Sequence, residues 1–256
     1  MILAIDIGNT NIVMGIYHQD ELCFSARIAS DKVKTDDEYA LIISNILILH
    51  QIPLDAIEGG ILSSVVPYLK TVVCSAINKL IGKQLIVVSS GMKTGLNILI
   101  NDPSKLGSDL VVSAVAAISK YPKPIAIFDL GTATTLSVID SNGCYRGGMI
   151  IPGMRVSVDA LSACAAQLPF INIEAPEKLI GTDTANRIQS GLIYGSAAML
   201  DGILERVESE LEESVTGVIT GGLANIVLPF CRKALILDEN LLMDGLKILY
   251  SKNKQN

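Results

Sequence analysis

Tryptophan is absent from this chain, aromatic residues are 4% of it, and histidine occurs only twice, as His18 and His50. Two isolated histidines give little to build a histidine-rich metal centre or a Ser-His-Asp triad from, and each reads as a solvated or core residue. The five cysteines (Cys23, Cys74, Cys144, Cys164 and Cys231) are scattered, odd in number and without CxxC spacing. That pattern suits reduced thiols in the cytoplasm better than a disulfide framework. An excess of basic residues is also missing: 20 Lys and Arg stand against 26 Asp and Glu, a formal charge of −6. Nucleic acid is therefore not expected as the main partner, since phosphate backbones call for a basic face. Mean hydropathy is high at +0.47, yet no stretch reaches the roughly 18 to 20 uninterrupted apolar residues of a membrane span. The apolar stretch Tyr39 to Leu49 is broken by Ser44 and Asn45. The sequence opens directly on a strand pattern with no basic leader, so neither a signal peptide nor a membrane association is expected.

What the chain does contain is one short pattern twice. Leu3-Ala4-Ile5-Asp6-Ile7-Gly8-Asn9-Thr10 returns as Ile125-Ala126-Ile127-Phe128-Asp129-Leu130-Gly131-Thr132-Ala133-Thr134-Thr135, with the two acids 123 residues apart. Each copy is an apolar run, an Asp, a Gly among small polar residues, and a second apolar run. That predicts strand, tight turn, strand, with a carboxylate at the strand end. Turn amides and hydroxyls suit phosphate oxygens, and an Asp beside them suits a hydrated metal ion. A plain reading also exists for each, an ordinary turn acid before a glycine turn. The repetition favours a duplicated domain with a phosphate site in the cleft between the copies. With 256 residues, half of them apolar, the chain is long enough for two domains with aliphatic cores.

The expected order begins with strands at 2–7, 12–17 and 22–28. A helix follows from the Thr35-Asp36-Asp37-Glu38 cap to about His50, then a strand from Gly59 to Val66, a helix over 68–81 stopped by Gly82, and a short strand at 85–88. A polar loop, 91–106, leads into a helix from Gly107 to Ser119, and Tyr121-Pro122-Lys123-Pro124 marks a junction between domains 1–120 and 121–256. The second half predicts strands at 125–129, 134–139 and 144–149 around an Asn142-Gly143 hairpin turn, a helix at 154–166, a loop at 167–183 and a long helix from Thr184 to Glu213. A strand at 217–220, Gly221-Gly222, a helix, a strand at 234–237, a last helix from Glu239 and a frayed tail from Ser251 complete it. The class is α/β with mixed sheets.

Five motifs stand in a particular order: Asp6-Ile7-Gly8-Asn9-Thr10, Gly107-Ser108-Asp109, Asp129-Leu130-Gly131-Thr132-Ala133-Thr134, Gly147-Gly148-Met149-Ile150-Ile151-Pro152-Gly153 and Gly221-Gly222. In order and spacing the set resembles the type III pantothenate kinases, a branch of the superfamily of acetate and sugar kinases, heat-shock ATPases and actin. The resemblance runs from Met1 to Asp244-Gly245-Leu246. It implies two ribonuclease-H-like (actin-like ATPase) domains and ATP-dependent phosphorylation of pantothenate, the first step of coenzyme A synthesis. It further implies a magnesium ion, a monovalent cation (potassium or ammonium) and a homodimer that completes the active site.

By the same resemblance, Asp6 helps hold magnesium through water, and Ile7, Gly8, Asn9, Thr10, Asn11, Ile12 and Val13 form the ATP-phosphate segment. Asp129 matches the monovalent-cation ligand, Thr132 a nucleotide contact, and Gly221-Gly222 the setting for adenosine. Asp109 matches the catalytic base, which takes the proton of a primary alcohol; a helix-capping acid is its simpler reading. Gly107, Ser108, Asp109, Leu110 and Thr184 match the substrate site, although Thr184 would equally serve as the cap of the long helix. Gly147-Gly148 and Pro152-Gly153 are expected to shape a loop near the substrate.

Two positions depart from the family pattern. Leu110 stands where an Arg usually pairs with the substrate carboxylate, and Ile100 stands where a Tyr is usual. Losing one partner of a buried charge pair costs about 2–5 kcal/mol, so a pantothenate pocket here needs another cation, for which Arg155 and Arg187 are the candidates. The alternatives are a family member acting as a regulatory or binding protein, or a kinase for another small alcohol.

Overall fold

The computed structural model describes residues 1–164 and 171–254. In chain order the elements are β1 (Ile2–Ile7), β2 (Asn11–His18), β3 (Glu21–Ala29), α1 (Asp36–Leu49), β4 (Gly59–Ser64), α2 (Pro67–Ile81), β5 (Ile86–Val87), β6 (Asn97–Ile98) and α3 (Ser108–Lys120). They continue as β7 (Ile125–Leu130), β8 (Ala133–Ile139), β9 (Cys144–Pro152), α4 (Met154–Cys164), α5 (Thr184–Leu211), β10 (Thr216–Thr220), α6 (Ala224–Val227), β11 (Leu235–Leu237) and α7 (Leu241–Asn253). The chain divides into two units: residues 1–95 with 104–116 and 241–256, and residues 96–103 with 117–240. Relative to an unbroken division at 120/121, the last helix groups with the first unit and the 96–103 segment with the second.

In the first unit the strands order as β3-β2-β1-β4-β5. β1 is antiparallel to β2 and parallel to β4. Strand alternation sends Leu3, Ile5 and Ile7 to one face, where they pack with Tyr39, Ile43 and Leu47 of α1 and Leu69, Val73 and Ile77 of α2. The expected Thr35 cap is present as a full capping box: Thr35 Oγ1 accepts from the Glu38 amide, and Glu38 Oε2 accepts from the Thr35 amide at 2.8 Å. Gly82 closes α2 in the left-handed conformation. The buried residues Leu241, Leu246 and Leu249 of α7 also belong to this unit. There the Tyr17 hydroxyl donates to Asp244 Oδ1 at 2.6 Å, and the backbone of Gly245 packs directly on the Val112 carbonyl of α3.

The second unit repeats the plan. Its order, β11-β10-β7-β8-β9, is the first sheet read from the other edge, with β6 added beside β9. Ala126, Phe128 and Leu130 pack with Val158 of α4 and with Ile193, Ala197, Leu200 and Leu204 of α5.

Several expectations are corrected. The segment 91–106 is not all loop: β6 pairs in parallel with β9 through Asn97–Cys144 and Ile98–Tyr145. Gly147-Gly148 lie inside β9, which runs on to Pro152, and the register of β8 and β9 shifts between Val138 and Ile139. The long helix is capped by Asp183, whose carboxylate accepts from the Asn186 amide at 2.9 Å, so Thr184 is its first helical residue and not its cap. The last helix continues through Ser251 to Asn253, where fraying was expected. Residues 165–166 of the expected fourth helix, 167–170 of the expected loop and 255–256 of the tail lie outside the described residues. Among the described residues no helix is long and apolar enough to cross a membrane, and the cysteines are free.

Candidate functional site

The first turn is tight. The Gly8 amide donates to the Asn11 carbonyl at 2.9 Å, and the Ser30 hydroxyl donates to the Gly8 carbonyl at 2.7 Å. Asn9 and Thr10 form its exposed tip. Ile7 and Ile12, expected in the phosphate segment, are core residues with 0% and 1% exposure, so their side chains are not available to a ligand and only their backbone is.

Asp6 precedes this turn and is half-buried. Its even position in β1 places it on the opposite face from Leu3, Ile5 and Ile7. The residue does have an interaction partner, while its Oδ1 atom, taken alone, is buried and accepts no hydrogen bond. Across the parallel ladder Asp6 is in register with Ser63 of β4, so the two side chains share that face. Ser63 has 0% exposure, and its hydroxyl oxygen is 2.9 Å from that of Ser108, the first residue of α3. Ser108 also donates to the Ser64 carbonyl at 3.3 Å. One sheet end and one helix start are thereby joined, and Asp109 is the next residue along the helix.

Asp109 lies in the first turn of α3, and its Oδ1 folds over the backbone of Gly107 so closely that a Cβ there would sit 2.4 Å away. Burial, the largest influence, raises its pKa above the ordinary carboxylate value; hydrogen bonds from the amides of Leu110 and of Asp109 itself pull the other way and lose. A buried carboxylate with increased proton affinity is the type of group used as a general base. Leu110 follows it on α3.

The turn of the second unit is shorter. The Gly131 amide donates to the Ala133 carbonyl at 3.1 Å, and Thr132 is its exposed tip. Asp129 occupies the place of Asp6 and is half-buried. It is in register with Thr135 of β8 and Thr220 of β10. Two glycines close this region. A Cβ on Gly153 would lie 2.2 Å from the Thr132 carbonyl oxygen and 2.6 Å from that of Gly131, so the start of α4 sits on the turn only because position 153 has no side chain. Gly221 has φ +96°, and a Cβ there would lie 2.5 Å from Asp129 Oδ1. Gly222 is exposed beside it.

Also in this unit is a cavity of about 600 Å3 lined by Ser157, Leu161, Thr184, Arg187, Ile188 and Leu192. The Arg187 Nε donates to the Gly181 carbonyl at 3.3 Å. Of the two candidate cations, Arg187 lines the cavity; Arg155 is exposed at the start of α4. Ile100 lies 3.9 Å from where a Cβ on Gly147 would be.

The first unit thus brings Asp6 and Asp109 to linked elements, and the second brings Asp129, Thr132, Gly153 and Gly221 together. Sequence reasoning missed Ser63 and Thr220. Each is a buried hydroxyl in register with a motif acid, at 0% and 4% exposure. The available signal was a polar residue ending an otherwise apolar strand. Among the described residues no three His, Cys, Asp or Glu side chains gather to hold a metal. Asp6, half-buried near the strand end beside the turn, is a donor that fits magnesium, which is commonly held by one or two carboxylates with water and substrate phosphates.

The sequence model of the type III pantothenate kinases matches residues 2–206. A type III pantothenate kinase of Syntrophotalea carbinolica is 40% identical over 254 residues, covering 99% of this chain and 100% of that protein. Among solved structures, a conserved Campylobacter jejuni protein described as a Baf family transcriptional activator aligns with a TM-score of 0.58 at 19% identity over 98% of both chains. MreB 5 of Spiroplasma citri, solved with AMPPNP, aligns at 0.53 and 11% identity over 98% of this chain and 96% of that one. These last two are likenesses of fold, the plan of the actin-like ATPases. By the family match and the full-length identity, the chain belongs to the type III pantothenate kinases.

Proposed function

We propose that this kinase transfers the γ-phosphoryl group of ATP to the primary hydroxyl of pantothenate, giving 4'-phosphopantothenate at the start of coenzyme A synthesis. The observation that carries the reading is the buried Asp109, whose proton affinity is raised and whose helix start is bonded to the strand end next to Asp6. Asp109 accepts the hydroxyl proton as the substrate oxygen attacks phosphorus. Asp6 orients the hydrated magnesium ion, which when bound neutralises charge on the phosphates. The backbone of Gly8, Asn9, Thr10, Asn11 and Val13 lies along the phosphates. Asp129 holds a potassium or ammonium ion, Thr132 contacts the nucleotide, and Gly221 and Gly222 leave room for adenosine.

The substrate lies with its reacting hydroxyl at Asp109, beside Gly107, Ser108 and Leu110. Within the second unit, Thr184 and Arg187 line the cavity and are the candidates there for the substrate's amide and carboxylate. Leu179 and Ile180 are 60% and 80% exposed ahead of α5, and Val156 and Leu161 are 42% exposed on α4. A homodimer would cover exposed apolar side chains such as these.

Purified protein with ATP, magnesium and potassium should convert pantothenate to phosphopantothenate, read by mass spectrometry. No product above background at millimolar substrates, with ammonium also tried, rejects the reading. ADP release with a different alcohol in a panel would point instead to another substrate.

A further inference from the structure

The Ser63–Ser108 hydroxyl pair is more than local packing. A serine hydroxyl has one proton to donate. Ser108 donates to the Ser64 carbonyl at 3.3 Å, and its hydroxyl oxygen lies 2.9 Å from that of Ser63, a bond that Ser63 can donate while Ser108 serves the carbonyl. Both bonds end on the last two residues of β4, and Ser63 is the residue in register with Asp6. Ser63 is wholly shielded from solvent, so water cannot replace a lost partner without rearrangement. The next residue after Ser108 is Asp109, whose carboxylate is folded back on Gly107. Rotation or sliding of the first turn of α3 would carry the Asp109 carboxylate with it, and the two hydroxyl bonds oppose that motion.

We infer that Ser63 and Ser108 are positioning residues which fix the base-bearing end of α3 against the strand end that carries Asp6. They hold the proton acceptor at a set distance from the phosphate turn without touching the reacting atoms. Displacements of about 1 Å at a catalytic group can cost on the order of 100-fold in rate, so two weak bonds suffice for a sizeable kinetic role. The inference rests on Asp109 being the base.

The test is a double-mutant cycle with Ser63→Ala, Ser108→Ala and both together, alongside Asp109→Asn. Steady-state kinetics and unfolding midpoints are measured on each full-length protein. Each single change is expected to lower kcat about tenfold and leave KM for ATP within twofold. The double variant should be no slower than the worse single, because both remove the same tether. Ser108→Thr, which retains the hydroxyl, should recover at least half of the lost rate. A kcat within twofold of the parent in both singles overturns the inference. So do losses that multiply in the double variant, a parallel rise in KM for ATP, or a failure of Ser108→Thr to recover rate while its unfolding midpoint matches the parent. If Asp109→Asn itself retains full rate, the base reading fails; if it is inactive while the serine variants are fast, only the tether fails.

Discussion

Replacing Asp109 with Asn should separate catalysis from stability. The change preserves shape and one acceptor oxygen and removes the charge. A positioned base contributes about 10²–10⁴-fold in rate, which is about 2.7–5.4 kcal/mol of barrier at 1.36 kcal/mol per decade. Stability should move the other way. Burial raises the Asp109 pKa and outweighs the two amide hydrogen bonds that lower it, so the fold disfavours the charged form. The favourable contribution of the acid to folding is complete below its unfolded value near 3.8 and is lost as pH rises through the higher folded value. Above the folded value the parent carries this penalty and the Asn variant does not. The helix dipole favours the charge by about 0.3–1 kcal/mol, but burial is the larger influence. The expected net is a gain on the order of 1 kcal/mol, typical of relieved functional sites, or roughly 2–4 °C in the midpoint. The gain should shrink as pH falls toward the folded pKa of Asp109. Product formation by mass spectrometry and unfolding midpoints at pH 7 and pH 5 read both effects. A variant that retains more than a tenth of the rate, or that melts several degrees lower at pH 7, refutes the reasoning.

Three further outcomes are expected. Gly221→Ala must place a Cβ 2.5 Å from Asp129 Oδ1 at φ +96°; strain of this kind costs about 1–3 kcal/mol, so both midpoint and activity should fall, and an unchanged protein would contradict the described packing. Thr35→Ala removes the α1 capping box and should cost about 1 kcal/mol with kcat unchanged; a loss of activity at assay temperature would show that α1 matters beyond stability. Arg187→Ala should raise KM for pantothenate roughly 5- to 30-fold, as expected for about 1–2 kcal/mol from one charge-assisted bond, and leave KM for ATP alone; equal KM values for parent and variant would remove Arg187 as the carboxylate partner.

Much of the fold could be read from local chemistry. The Thr35-Asp36-Asp37-Glu38 start, the Gly82 stop and the paired Asp-Gly turns are signals within a few residues of the structure they specify. What was hidden depends on distant pairing or on neighbours of equal competence. The two-residue strand Asn97–Ile98 is defined only by its partners Cys144 and Tyr145, too short for any periodicity. Asp183 and Thr184 are both able caps, and spacing alone does not choose between them. The Gly147-Gly148 pair looks like a loop until the β8–β9 register shift shows a strand that bends there. The amphipathic pattern of α7 gives a buried face but not which sheet it covers. In the candidate site Asp6 and Asp129 were legible because each lies near a strand end before a glycine, and Asp109 because it follows Gly107 at a helix start. Ser63 was not, because its significance lies in the β1–β4 register and in a contact with a residue 45 positions away.

The two halves show how one plan yields different sites. In both, the strand alternation that sends three apolar residues into the helix-covered core sends the acid to the opposite face. In both, the adjacent parallel strand supplies a buried hydroxyl in register with it. The difference lies one residue further on. After Ser63 comes Ser64, whose carbonyl accepts from Ser108, so that strand end receives a helix start and with it Asp109. After Thr220 comes Gly221, whose bare backbone closes on the Asp129 carboxylate and leaves no room for any side chain between them. The strand of the first acid is thereby joined to the helix that bears Asp109, and the second acid is packed against the backbone of Gly221. The two halves carry equivalent carboxylates, and the residue after each in-register hydroxyl decides what packs beside them.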